Sequence, residues 1–172
     1  MTPKERARSA LEISRGMSEG MVADFKTPEQ WTHQVVPTAN HALWCIGHTA
    51  WVDNRFITRL APELEVELPG YQERFAGGSM PTSDPAAYPP PEQVVERWRE
   101  RRKTLLAVLD RQTDDDLNQP APSGAPTFLK DRGNLFEFVA IHESMHTGQL
   151  SIARRALGHS PLRGGPPKPA QQ

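Results

Sequence analysis

Two histidines four residues apart, His142 and His146, lie in the stretch Ile141-His142-Glu143-Ser144-Met145-His146-Thr147-Gly148-Gln149-Leu150. On a helix such a spacing puts both side chains on one face, with Cβ atoms about 6 Å apart, so two imidazoles can address one point. Leu135, Phe138, Val139, Met145, Leu150 and Ala153 recur around them at three- and four-residue steps, and the same stripe takes in His142, His146 and Gln149. The histidines are therefore expected to face inward. Burying two neutral rings side by side costs free energy unless each finds a partner, and one divalent cation satisfies both. A third histidine, His48, falls between Trp44 and Trp51 on the inward stripe of a distant helical segment, which makes His48, His142 and His146 the candidate metal ligands.

The remaining candidates are weighed against these three. His33 falls in a short connection, His41 near a helix start and His159 just past a helix end, where surface or capping roles fit better. Cys45 precedes His48 by three residues and is rotated about 60° from it, so it reads as a small buried hydrophobe. His142-Glu143-Ser144-Met145-His146 also spells HExxH, the helix signature of zinc peptidases. Its known continuations fail: Gln149 and Ile152 stand where a metzincin needs glycine and histidine, and no acidic residue follows Glu143 to serve as a thermolysin-type ligand.

Helices must position these ligands. Thr2-Pro3-Lys4-Glu5 carries a cap, an N1 proline and a capping-box glutamate, starting a helix expected to run to about Phe25 with Ala10, Ile13, Met17, Met21 and Phe25 inward. Thr27-Pro28-Glu29-Gln30 starts a short connecting helix that Pro37 closes. Asn40 or Thr38 caps a long helix reaching about Leu60. Residues 69–91, with Gly77-Gly78, Pro81, Pro85 and Pro89-Pro90-Pro91, break all periodicity beyond one turn over Tyr71–Phe75. Val94, Trp98, Leu105 and Leu109 resume a helix to Asp110 or Arg111, whose cluster Arg97, Arg99, Arg101, Arg102 and Lys103 reads as a solvated, ion-paired face. Asn134 and Glu137 start the last helix, expected to end near Leu157 with Gly158 past its end. The expected fold is all-α, a four-helix bundle over residues 1–160 with a long irregular loop between its second and third long helices, followed by a disordered Pro/Gly-rich tail at 161–172.

The chain has 172 residues, with 20 Lys and Arg against 21 Asp and Glu, a net charge of -1 that argues against nucleic acid as a partner. No apolar run is long enough for a membrane span, the N-terminus lacks a signal peptide's apolar segment, and one cysteine suits a reducing compartment, so a cytoplasmic protein is expected.

Asn40-His41-Ala42-Leu43-Trp44-Cys45-Ile46-Gly47-His48-Thr49-Ala50-Trp51, followed far downstream by the His142–Leu150 segment, resembles the DinB-like (DinB/YfiT) superfamily, as do Gly78-Ser79-Met80-Pro81 and Ala87-Tyr88-Pro89 between them. The resemblance implies a four-helix bundle binding a divalent metal through one histidine of its second helix and an HxxxH pair of its fourth, which here are His48, His142 and His146. It further implies a metal-dependent enzyme, either a transferase or an isomerase that uses a low-molecular-weight thiol on a small-molecule substrate. The alternatives are a hydrolase using metal-bound hydroxide and a non-catalytic metal- or small-ligand-binding stress protein. Glu143 is the candidate proton acceptor, with an outer-shell hydrogen bond or a bundle salt bridge as its other reading; Arg55 and Gln149 are candidate pocket residues. Zinc, nickel, iron and manganese all suit imidazole. Gly148 leaves room for a second copy, which makes a homodimer a candidate assembly.

Overall fold

The computed structural model describes residues 1–162. Among these it is helical without a strand; a single antiparallel bridge, Pro120 to Asp131, pins the base of one loop. The tail expected to be disordered lies, from residue 163 onward, outside the described residues. Four long helices, α1 (Pro3–Val22), α3 (Ala42–Leu60), α5 (Pro91–Arg111) and α7 (Arg132–Ala156), alternate with short α2 (Pro28–Trp31), α4 (Tyr71–Phe75) and α6 (Asp114–Leu117).

The local signals set most boundaries. Thr2 and Thr27 make the expected capping boxes, each followed by a proline at the helix start. Two starts differ from expectation. His41, rather than Asn40 or Thr38, caps α3 by accepting from the Trp44 amide through Nδ1 at 3.1 Å. Asp131 caps α7 three residues ahead of Asn134, accepting the Asn134 amide at 2.8 Å, because an aspartate in extended backbone reaches the first orphan amides.

α1 packs on α7, α3 packs on both α5 and α7, and α1 touches α5 more thinly. Side-chain pairs give the directions. Ser14 meets Glu143 and Asp24 meets Arg154, so α1 and α7 run parallel. Asp53 meets Arg102, and Asn54 meets Arg101, while Leu43 and Ile46 share a core cluster with Val94 and Trp98, so α3 and α5 run parallel as well. Two consecutive parallel helices need a connection that returns along the full length of the bundle, and this is the physical reason for the long segment 61–90. It is not structureless: α4 and two 3-10 turns, Pro62–Leu64 and Pro85–Ala87, lie within it, with Tyr71 and Phe75 buried.

The apolar interior is divided. One cluster gathers Leu11, Phe56, Ile57, Leu105, Leu109, Leu135 and Phe136; the other gathers Val22, Trp31, Leu43, Ile46, Phe75, Trp98 and Leu150. Between them every long helix contributes buried polar groups: Ser14, Arg15 and Ser18; His48, Thr49 and Asp53; Arg101 and Arg102; Glu143, His146 and Thr147. Three expectations are corrected here. Ile13 and Met17 of α1 are 62% and 50% exposed, and Met145 of α7 is 59% exposed. The inward stripe of α1 is instead Ala7, Leu11, Ser14, Arg15, Ser18 and Val22, whose small serines let α7 approach closely enough for Ser18 Oγ and Thr147 Oγ1 to bond at 2.7 Å. Arg101 and Arg102, expected on a solvated face, are buried because Arg102 falls on the stripe of Trp98, Leu105 and Leu109, where buried carboxylates meet it.

Candidate metal centre

α3 contributes His48 to the middle layer and α7 contributes His142 and His146. Their Nε2 atoms converge: His142 Nε2 lies 3.2 Å from that of His48 and 3.2 Å from that of His146. The donor atoms of all three lie within 4.8 Å of one another, and among the described residues no other grouping of three or more such side chains is brought together. Two nitrogens each about 2.0–2.1 Å from one ion at a tetrahedral angle would stand about 3.3 Å apart, so the observed spacing suits a shared cation.

The outer faces of the rings fix which nitrogen carries the proton. His48 Nδ1 is 2.6 Å from the Phe75 carbonyl oxygen, and His146 Nδ1 is 2.9 Å from Gln149 Oε1. Both partners can only accept, so each Nδ1 donates and each Nε2 presents a bare lone pair to the centre. Burial keeps the rings neutral. It lowers the pKa of His48 to about 4 and that of His142 to about 3, the latter helped by the neighbouring imidazoles, and it lowers His146 as well. Three neutral imidazoles with converging Nε2 atoms form a donor set that fits a divalent metal ion.

The surroundings hold these rings in place. Trp44 stacks on His48 with ring centroids 4.6 Å apart and planes at 10°, and its Nε1 donates to Ser79 Oγ at 2.8 Å. Phe138 stacks on His142 at 5.4 Å. The long connection therefore supplies both the Phe75 carbonyl and the Ser79 hydroxyl. Gly47 admits it: a Cβ there would come within 2.5 Å of the Phe75 ring, so no larger residue leaves room for the loop against α3.

Gln149, expected as a pocket residue, is a positioning group behind His146. Its Oε1 also accepts from Asn40 Nδ2 at 3.2 Å and from the Cys45 thiol at 3.3 Å. Cys45 is thus turned away from the centre, and burial pushes its thiol pKa up. Arg55 is exposed, with its guanidinium 5.6 Å from the Trp51 ring and no contact with the imidazoles. It stands at the edge of the aromatic wall, Trp51 being 6.1 Å from His48.

Glu143 makes a bundle salt bridge, one of the readings the sequence left open for it. Its Oε1 accepts from Arg15 Nε at 2.7 Å, and its Oε2 lies 2.6 Å from Arg102 Nη1. Burial raises its pKa, but the two guanidinia outweigh that effect and hold it below the ordinary glutamate value. Asp53 completes the group, accepting twice from Arg102 at 3.0 and 3.1 Å and once from Arg15 at 3.4 Å. Two cations and two anions are thereby buried as a neutral set beside the histidines, tying α3 and α7, which carry the clustered histidines, to α1 and α5, which carry none of the three. Sequence reasoning missed this cluster. Its signal is present in the stripes, since Arg102 falls four residues after Trp98, and Glu143 four after Val139.

One family model, described as the DinB superfamily, matches residues 10–150. No curated protein matches the chain. Among the described residues, no helix is long and apolar enough to cross a membrane.

Proposed function

From the premise that this chain belongs to the DinB superfamily, we propose that it is a metal-dependent enzyme, a transferase or isomerase joining a low-molecular-weight thiol to the turnover of a small molecule at His48, His142 and His146. The observation that carries this reading is the convergence of three Nε2 atoms, His142 standing 3.2 Å from each of the other two, with the outer nitrogens of His48 and His146 locked as donors. A divalent ion held by three neutral imidazoles keeps its full charge and an open position, where it acidifies a bound thiol.

The chain's own residues define the rest. Among the described residues no carboxylate or cysteine joins the cluster, which leaves room for an anionic ligand from outside. Cys45 cannot be that thiol, because it is buried and committed to Gln149. Trp44, Trp51 and Phe138 wall the histidines with apolar surface, which excludes water and suits the carbon skeleton of a small substrate. Arg55 at the edge of that wall adds an exposed cation for an acidic substituent.

The test is elemental analysis followed by cobalt substitution and titration with cysteine, bacillithiol and mycothiol. One ion per chain and a new thiolate-to-cobalt absorption band are expected. A spectrum unchanged at saturating thiol overturns the thiol reading, and turnover without thiol would move the assignment to hydrolysis.

A further inference from the structure

Arginines on the other long helices find carboxylates: Arg8 and Arg15 on α1, Arg99 and Arg102 on α5, and Arg154 on α7. The two on α3, Arg55 and Arg59, have no ion-pair partner among the described residues. The one acid of α3, Asp53, is buried against Arg15 and Arg102, and residues 121–129, which meet the pair from the loop before α7, carry no charge. Arg59 is held in place: its Nε donates to the Gly124 carbonyl at 3.0 Å and its Nη1 to the Arg55 carbonyl at 3.1 Å. Four residues apart on one helix, the two like charges repel. Burial, and then the charge of Arg55, lower the pKa of Arg59. The described chain thus pays for two neighbouring cations and supplies no anion.

Their position links them to the histidines. Arg55 follows His48 by seven residues, two turns along the same face, and the Trp51 ring lies between them, 6.1 Å from His48 and 5.6 Å from the Arg55 guanidinium. The Arg59 guanidinium is 5.7 Å from the Phe56 ring, and Phe56 is 5.9 Å from Phe138, which stacks on His142. Phe128, 61% exposed, adds a further ring 5.3 Å from Phe138. Aromatic surface therefore leads from the three imidazoles to the two guanidinia.

We propose that Arg55 and Arg59 bind the carboxylates of an organic dianion whose carbon skeleton lies against Trp51 and Phe138 and whose other end reaches His48, His142 and His146. Planar guanidinium forks match carboxylates, and two forks one turn apart favour two carboxylates over one. The position of the reactive end rests on the reading of the three histidines as a metal centre; the anion site does not, since no ion contributes to it.

Isothermal titration of the chelated, full-length protein with succinate tests the anion site alone. Succinate is expected to bind at least tenfold more tightly than acetate, and neutral succinamide not to bind. Arg55→Gln, which leaves the backbone carbonyl that Arg59 uses, and Arg59→Gln should each weaken succinate about tenfold with helical circular dichroism unchanged. Succinate binding no tighter than acetate overturns the inference, as does an affinity that Arg55→Gln leaves intact, equal affinity for succinamide, or tighter binding of inorganic phosphate. The cobalt-loaded protein then tells whether the carboxylates belong to the thiol or to the other substrate. Mercaptosuccinate saturating the thiolate band at about tenfold lower concentration than 2-mercaptoethanol, an advantage lost in Arg55→Gln, assigns them to the thiol and supports the site. Equal midpoints, with succinate bound as before, assign them to the other substrate and support it as well. If no thiol gives a band while succinate still binds through Arg55, the thiol reading fails and the anion site stands.

Discussion

His48 and His146 are each specified by two contacts, one at each ring nitrogen, and His142 by contacts at its Nε2, and this makes single substitutions informative. His48→Ala, His142→Ala or His146→Ala should reduce the bound metal from one ion per chain to near none by elemental analysis, whereas His41→Ala should leave it in place. Equal loss on changing His41 would overturn the ligand assignment. Gln149→Ala removes the acceptor behind His146, which Asn40 and Cys45 share, and should weaken metal affinity by roughly 10–100-fold. His41 itself gives a prediction of a different kind. Its Nδ1 accepts the α3 capping bond, which the protonated ring cannot do, and burial lowers its pKa from 6.5 to about 4. The folded pKa is below the unfolded one, so the unfolded chain takes the proton first. The contribution is fully present above pH 6.5 and is lost as the pH falls toward 4. At about 1.4 kcal/mol per pKa unit, urea unfolding of the metal-free protein should lose about 2 kcal/mol less between pH 7 and 4.5 in His41→Asn, which keeps a capping oxygen. An unchanged pH dependence would count against this role. The three clustered histidines could be read from the sequence because helical spacing is a local property, and each histidine falls on a stripe fixed by its near neighbours. That His41 stands near a helix start, where a surface or capping role fits, could be read as well, but not that it, rather than Asn40 or Thr38, is the cap, since histidine is not among the preferred caps and only the fold shows which nitrogen faces the amides.

At the scale of the helices, the buried set Arg15, Asp53, Arg102 and Glu143 is neutral only while complete. Removing one carboxylate leaves two guanidinia facing a single anion out of reach of water. Glu143→Ala should therefore destabilise the protein by about 3–5 kcal/mol in urea unfolding, far more than loss of a surface pair such as Arg99 with Glu19. Because Glu143 contacts the guanidinia and not the imidazoles, the loss should be similar with and without metal. A loss confined to the metal-loaded protein would return Glu143 to the centre as a partner of bound ligand. The same cluster shows where the apolar periodicity misleads. In α1 it selects Ile13 and Met17, which are exposed, and passes over Ser14, Arg15 and Ser18, which are buried. Polar residues can occupy an interior stripe when another helix supplies their partners, and a single helix's sequence does not reveal those partners. Helix existence is more robust, since proline, glycine and the threonine capping boxes mark the ends independently of what packs inside.

Across the whole molecule, what could not be read locally is direction. Nothing in α3 or α5 says that they run parallel, yet this arrangement forces the long return segment, and the segment supplies the carbonyl of Phe75 to His48. The clustered histidines consequently belong to parts of the chain that meet only in the folded state: His48 is 94 residues from His142. Metal binding should then be linked to global stability, because the unfolded chain offers no preformed site. At free metal a thousandfold above the dissociation constant, the linkage is about 4 kcal/mol. For a chain of this length each kcal/mol moves the melting temperature by roughly 2–4 °C, so the loaded protein should melt roughly 8–16 °C above the chelated one. His48→Ala should melt at the same temperature with or without chelator, since its two remaining imidazoles lie on one helix and no longer join α7 to α3. A chelated wild-type protein that melts with the loaded one would show that no ion bridges these helices, and the three-histidine convergence would then be a packing arrangement of neutral rings.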